Sequence, residues 1–317
     1  MRVLVYGAGS VGLGLASCLL KASIKVCLVA RANTVRALRE VGLTRTGIFG
    51  FFHAQPGTFV SYELLVEIQD RPFDFILVCT KSYDSAVSAQ DISKHKKLFG
   101  KNTKIILCQN GWGNAEIFVR YFEKSRICNA RIITGFTRRK PNEVEITVHA
   151  DAIHIGSLFG GVSSPVQPLC QAIAQGDIPC ETTESIEKDL WAKMLYNCAL
   201  NPLGAILDVP YGKLAKNKYS NTLMDAIIEE VFIVMSAAGY KTHWQSAAGF
   251  LKVFYDKLVP DTALHKSSTL QDILAGKKTE IEALTGAVIR LAEKHKINVP
   301  HNQAVYSIIK FIESLHP

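Results

Sequence analysis

The segment Gly7-Ala8-Gly9-Ser10-Val11-Gly12 constrains this chain more than any other, because of what flanks it. Arg2-Val3-Leu4-Val5-Tyr6 before it is a short apolar strand, and Val11 to Leu20 after it reads as a helix. A complete G-x-G-x-x-G between a strand and a helix is the signature of a dinucleotide site. The first glycine permits the tight turn, and the second lets the backbone approach a pyrophosphate. The third lets helix and strand pack closely, while the helix N-terminus faces the anion. The rest of the N-terminal half agrees. Ile24 to Ala30 predicts a second strand, followed by a short helix over Thr34 to Glu40. Phe75-Ile76-Leu77-Val78-Cys79 and Lys104-Ile105-Ile106-Leu107-Cys108 predict buried strands, each followed by a helical pattern. Continuous apolar strands alternating with helices indicate a parallel sheet covered on both faces. Val144 to Val148 and Ala152 to Ile155 alternate around His149-Ala150-Asp151 and predict an edge hairpin.

From about Thr183 the strand signals stop, and amphipathic helices are expected over 184–201, 220–238, 243–258, 280–296 and 302–315. Glu181-Thr182-Thr183-Glu184 reads as the crossover. The fold class is therefore α/β: an N-terminal Rossmann-type doubly wound parallel sheet (1–182) followed by an all-helical domain (183–317). A cleft between two such domains is the usual place for a small-molecule site.

The first helix of the second half has a peculiar surface. In Leu190 to Pro202, at about 100° per residue, Lys193, Asn197 and Asn201 share one narrow arc. Most of the remaining circumference is apolar, with Trp191, Met194, Leu195, Cys198 and Ala199. A helix buried nearly all round has no solvent face for a lysine, so this column is expected to grip a polar ligand.

Composition narrows the alternatives. With 317 residues, 48% of them hydrophobic, the chain has ample material for two cores. The net charge of +8 is scattered, without an aromatic–basic motif, and so points to small anionic ligands rather than nucleic acid. Val3 to Leu20 is uncharged but carries four glycines and is closed by Lys21, which disfavours a signal peptide or membrane span. The eight cysteines include no Cys-x-x-Cys pair, and the nine histidines form no metal-binding pattern. No metal is expected, and a reducing, cytoplasmic setting is. A monomer and a homodimer both remain compatible with the sequence.

The end of the second strand selects the cofactor. An acidic residue there would bond the ribose hydroxyls of NAD, whereas this chain has Arg31, which suits a 2′-phosphate and so NADP(H).

Taken together, the chain resembles the ketopantoate reductase (2-dehydropantoate 2-reductase) family over essentially its full length. The resemblance is carried by Gly7 to Gly12, Arg31, Cys79-Thr80-Lys81 and Gln109-Asn110-Gly111-Trp112-Gly113-Asn114. It continues through Leu190-Trp191-x-Lys193-x-x-x-Asn197-x-x-x-Asn201-Pro202-Leu203, Ser267 to Asp272, and Thr279-Glu280-Ile281. It implies NADPH-dependent reduction of ketopantoate, a 2-oxo acid, to (R)-pantoate on the route to pantothenate and coenzyme A. Hydride transfer to a ketone leaves an alkoxide that needs a proton, and by resemblance Lys193 supplies it. The resemblance also implies that Glu280 orients Lys193 or bonds the substrate hydroxyl. Asn197, Asn201 and Ser268 would hold substrate oxygens. Asn110 would lie near nicotinamide and substrate, and Lys81 near the cofactor. Glu282 is set aside as lying on the far side of the same helix. Trp112 and Tyr211 depart from the residues expected there and would reshape the pocket. Two other readings stay open: a related NADP-dependent reductase of another 2-oxo acid, and a non-catalytic NADP(H) sensor.

Overall fold

A computed structural model of the chain describes residues 1–69, 72–161 and 164–315. Two compact units are present. One comprises Met1–Gln109 with Asn114–Ile186, and the other Asn110–Gly113 with Glu187–Pro317.

The first unit is built on β1 (Arg2–Tyr6), β2 (Lys25–Val29), β3 (Leu43–Gly47), β4 (Phe52–Ala54), β5 (Val60–Tyr62) and β6 (Phe73–Val78). Further along come β7 (Phe99–Leu107), β8 (Ile127–Arg131), β9 (Thr134–Lys140), β10 (Glu143–His149), β11 (Ile153–Gly156) and β12 (Cys180–Thr182). Eight of these form one sheet in the order β12-β11-β8-β7-β6-β1-β2-β5. From β5 to β8 all neighbours are parallel, while β11 runs antiparallel to β8 and pairs β12 in parallel. The helices are α1 (Ser10–Lys21), α2 (Ala32–Val41), α3 (Ser85–Lys94), α4 (Asn114–Phe118) and α5 (Gln167–Gln175).

Both faces of the large sheet are dry, which is why its strands read as unbroken apolar runs. Val3, Val5, Leu28, Leu77 and Ile106 join the core cluster shared with α1 and α5. The residues between them, Leu4, Cys27, Ile76 and Ile105, belong to the opposite cluster with Ala89, Ile92 and Phe118 of α3 and α4. Each such fully buried aliphatic side chain contributes roughly 1.5–3 kcal/mol to folding.

The expected hairpin over 144–155 does not form. β10 pairs antiparallel with β9 and parallel with β3 in a separate four-stranded sheet ordered β4-β3-β10-β9, whereas β11 belongs to the large sheet. The alternation in these strands reports one buried face each, not mutual pairing. Val144 and Ile146 of β10 pack with α1 in the same core cluster. Glu181 and Thr182, expected in the crossover loop, close β12.

The second unit is helical: α6 (Ile186–Ile206), α7 (Tyr211–Ala215), α8 (Lys218–Ala237), α9 (Ala247–Val253), α10 (Val259–Asp261), α11 (Ser268–Leu274), α12 (Thr285–His295) and α13 (Pro300–Ser314). The helix expected over 243–258 starts later and changes to a π-type turn at Phe254–Leu258. The helix expected from residue 280 begins only at Thr285, so Glu280 and Glu282 sit in the turn before it. The Glu230 carboxylate of α8 accepts hydrogen bonds from the backbone N–H groups of His301 and Asn302, which seats the N-terminus of α13 on α8. At the other end of α13, Glu313 accepts from the Thr279 N–H at 2.7 Å and the Thr279 hydroxyl at 2.6 Å. The turn carrying Glu280 is thereby tied to the helical frame. Among the described residues no helix is long and apolar enough to cross a membrane.

Candidate active site

The G-x-G-x-x-G turn leaves β1 where the strand order reverses between β2 and β6, the crevice where parallel sheets bind ligands. Gly7 has φ +100°, and a Cβ there would lie 2.8 Å from the Thr80 backbone nitrogen. A Cβ at Gly12 would lie 2.1 Å from the Gly7 carbonyl oxygen, so Gly12 permits the close approach of α1 to the turn after β1, as Gly7 permits that of the segment after β6. Gly9, the N-cap of α1, differs: a Cβ there would meet nothing within 4 Å. Open space over a helix N-terminus with no acidic residue in its first turn fits a pyrophosphate. Ala8 is buried within the turn, Ser10 opens α1, and Val11 packs partly against the core.

Arg31 caps α2 at the end of β2 and is solvent-exposed. Lys81 follows β6 and caps the short turn Ser82–Asp84. Its carbonyl accepts from Gln109 Nε2 at 3.2 Å, and the same amide donates to Ser85 Oγ at 2.9 Å. Ser85 in turn donates to Asn114 Oδ1 at 2.7 Å. Gln109, Ser85 and Asn114 thus lock together the loops that follow β6 and β7. In the sequence Gln109 and Asn114 carry no signal of this role beyond their position at a strand end.

In the helical unit, three distant residues form one chain of hydrogen bonds. Lys193 Nζ donates to Asn110 Oδ1 at 2.7 Å, and Asn110 Nδ2 donates to Glu280 Oε2 at 3.2 Å. Glu280 is buried, at 6% exposure. Glu282 instead accepts from Tyr306 and Arg290 on the other side of the turn, so the preference for Glu280 rests on turn geometry and not on helix phase.

The segment bearing Asn110 is held by its neighbours. Gly111 adopts φ +87°, and a Cβ would lie 2.2 Å from the Ala283 carbonyl oxygen. Trp112 N donates to that oxygen at 2.8 Å, bringing the segment alongside the Glu280 turn. The Trp112 side chain packs inward. It is buried in an aromatic cluster with Trp191, at 4.8 Å between centroids, and Tyr240, at 4.7 Å. Trp191 lies two residues before Lys193, so the cluster pins both hydrogen-bond partners at once.

Asn197 and Asn201 continue the column on α6, and both are buried. The Asn197 side chain makes no hydrogen bond to another described residue. Asn201 Oδ1 accepts from the Tyr211 hydroxyl. Burial first, and then the neighbouring Tyr196, pushes the Tyr211 hydroxyl well above its ordinary pKa, which keeps it a donor. Ser268 opens α11, and the N-cap is the preceding Ser267, whose hydroxyl accepts from Leu270 N at 3.0 Å. The Ser267–Ser268 pair lies beside α6, since a Cβ on Gly204 would come 3.7 Å from Ser267 Cβ.

The reversed strand order, the glycine turn and the lysine–amide–carboxylate chain define a Rossmann-fold oxidoreductase. Residues 3–160 match the family Ketopantoate reductase PanE/ApbA, and residues 185–313 match its C-terminal counterpart. A 2-dehydropantoate 2-reductase of Aquifex aeolicus is 35% identical, covering 98% of this chain and 96% of that protein. One from Archaeoglobus fulgidus is 28% identical, over 99% and 98%. The PanE/ApbA family ketopantoate reductase structure from Ralstonia eutropha superposes with TM-score 0.83 at 27% identity, covering 100% and 99%. D-mandelate dehydrogenase, solved with NADH and anilino(oxo)acetate, shares the fold with TM-score 0.87 at 21% identity, covering 99% of each chain. The chain belongs to the ketopantoate reductase family.

Proposed function

We propose that this protein reduces 2-dehydropantoate (ketopantoate) to (R)-pantoate with NADPH, on the route to pantothenate and coenzyme A. The Lys193–Asn110–Glu280 chain carries this reading, because it aims one ammonium through an amide whose other end is fixed by a buried carboxylate. Bound NADPH supplies the hydride. Lys193 polarises the ketone oxygen and donates the proton that the developing alkoxide requires, regaining it from solvent. Asn110 fixes where the ammonium points, and Glu280 both fixes Asn110 and accepts the substrate's distal hydroxyl. Asn197 and Asn201 donate to substrate oxygens, and Ser268 to the carboxylate, where a hydroxyl serves without a second buried charge. On the cofactor side, the turn Gly7 to Gly12 cradles the pyrophosphate, Arg31 takes the 2′-phosphate, and Lys81 lies by the dinucleotide. That none of the eight cysteines is joined in a disulfide supports a reducing, cytoplasmic setting.

A second reading is reduction of another 2-oxo acid, which the donors of Asn201 would serve equally. The Tyr211 hydroxyl already occupies Asn201 Oδ1, which leaves that amide its N–H groups alone for substrate. One experiment separates the two. NADPH oxidation is measured with ketopantoate and with 2-oxoisovalerate, which lacks the hydroxymethyl arm. A site built to pair a hydroxyl penalises its absence, so kcat/KM for 2-oxoisovalerate should be at least about a hundredfold lower. Glu280→Ala should shrink that ratio. Equal or better use of the smaller acid by the parent enzyme would replace the ketopantoate reading with the general one.

A further inference from the structure

Two guanidiniums near enough to feel each other's charge repel, and the fold brings this about at the start of α2. Arg31 is the N-cap residue of that helix. Arg138 comes from β9 in the four-stranded sheet, more than a hundred residues later in the chain. Its arrival is built in by packing. Phe136, two residues earlier on the same side of β9, lies so close to α1 that a Cβ on Gly14 would sit 2.3 Å from its ring. The glycine lets β9 close on α1, and Arg138 then reaches the first turn of α2. There its Nη2 donates to Thr34 Oγ1 at 2.5 Å and to the Pro141 carbonyl at 2.9 Å, while Nε donates to the Lys140 carbonyl at 3.2 Å. The Thr34 N–H is bonded to the Arg31 carbonyl at 2.9 Å, so the two arginines flank one helical turn.

Among the described residues neither arginine is paired with a carboxylate, and α2 has no acidic residue in its first turn. Partial burial, and after it the charge of Arg31, lowers the pKa of the Arg138 guanidinium. The first N–H groups of a helix add further positive potential there. Such a site is relieved by a compact dianion, and Arg138 Nη1 makes no bond to another described residue that would compete.

We propose that Arg138 is the second arm of a clamp on the 2′-phosphate of NADPH, supplied by the small sheet and acting with Arg31. This rests on the NADPH reading above. The strand-end rule points to Arg31 alone; Arg138 adds a determinant of cofactor choice that only the tertiary fold delivers.

The test uses the intact protein and two fragments, adenosine 2′,5′-bisphosphate and adenosine 5′-monophosphate, titrated by calorimetry. Arg138→Gln should weaken the bisphosphate at least about tenfold and leave the monophosphate unchanged. Arg138→Lys should fall between, since an ammonium keeps the charge and loses the fork. Three results would overturn the proposal. Loss of bisphosphate affinity in Arg31→Gln but not in Arg138→Gln leaves Arg31 acting alone. Equal weakening of both fragments by Arg138→Gln means that the residue only holds α2 in place. Equal affinity of the parent protein for the two fragments removes the NADPH reading itself, and the clamp with it.

Discussion

The two halves of the candidate chemistry are made in opposite ways. The nucleotide turn is six consecutive residues whose function lies in what their side chains lack: space at Gly9, close approach at Gly12 and a positive φ at Gly7. The Lys193–Asn110–Glu280 chain consists entirely of side chains, drawn from positions up to 170 residues apart. A backbone site is assembled as soon as its strand and helix form. A side-chain site exists only after Trp112 has packed on Trp191, Gly111 has passed Ala283, and Glu313 has tied down Thr279. Local sequence therefore determines the first, and remote packing determines the precision of the second.

That contrast can be broken most directly at Lys193. Lys193→Ala should lower kcat by roughly 10²–10⁴ while leaving NADPH binding intact, and Lys193→Arg should not restore it, because guanidinium does not release a proton near neutral pH. Near-normal turnover in either variant, measured by NADPH oxidation, would make the lysine structural and dissolve the side-chain site. The next largest effect is expected from Trp112→Ala, which empties the aromatic cluster. Truncating a buried tryptophan costs roughly 3–5 kcal/mol, read as a lower denaturant midpoint, and kcat should fall with it as Asn110 loses its support. A stable Trp112→Ala variant with altered substrate preference would put the indole in the pocket after all.

The smallest effect concerns Glu313. Burial alone would raise its pKa, but hydrogen bonds from Thr279 and Lys310 outweigh burial and hold it below the ordinary carboxylate value. A carboxyl depressed in the folded state contributes stability that is complete above its unfolded pKa and is lost as pH falls through the folded one. Glu313→Gln should accordingly lower Tm on the order of 2 °C at neutral pH, with the gap closing as the pH drops below about 4. A gap that stays constant in acid would show that the carboxylate charge does not hold the Glu280 turn.

Much of this was readable in advance. β1, β2, β6 and β7 announce themselves because both sheet faces are dry, leaving unbroken apolar runs. α6 is legible because it is apolar nearly all round except for its polar column, of which Asn197 and Asn201 are themselves buried. β3, β9 and β12 give weak signals: they are short or partly exposed, and Arg45, the middle residue of β3, is a fully buried arginine. The supposed hairpin over 144–155 failed for a related reason, since period-two alternation reports a buried face without saying which strand lies alongside. Glu280 is legible through the family resemblance, whereas the helix phase that sets Glu282 aside belongs to a helix that begins only at Thr285.

The sequence by itself determined the doubly wound sheet, the glycine turn at its switch point, the helical second half and the family, because each is written in contiguous residues governed by local sterics and burial period. Only the tertiary structure decided that Asn110 joins the helical unit, that Trp112 supports the site from inside an aromatic core, and that Arg138 arrives beside Arg31. These depend on contacts between residues far apart in the chain. A hydrogen bond or a ring contact across such a separation leaves no periodic trace in the sequence, because its geometry is set by how whole elements pack.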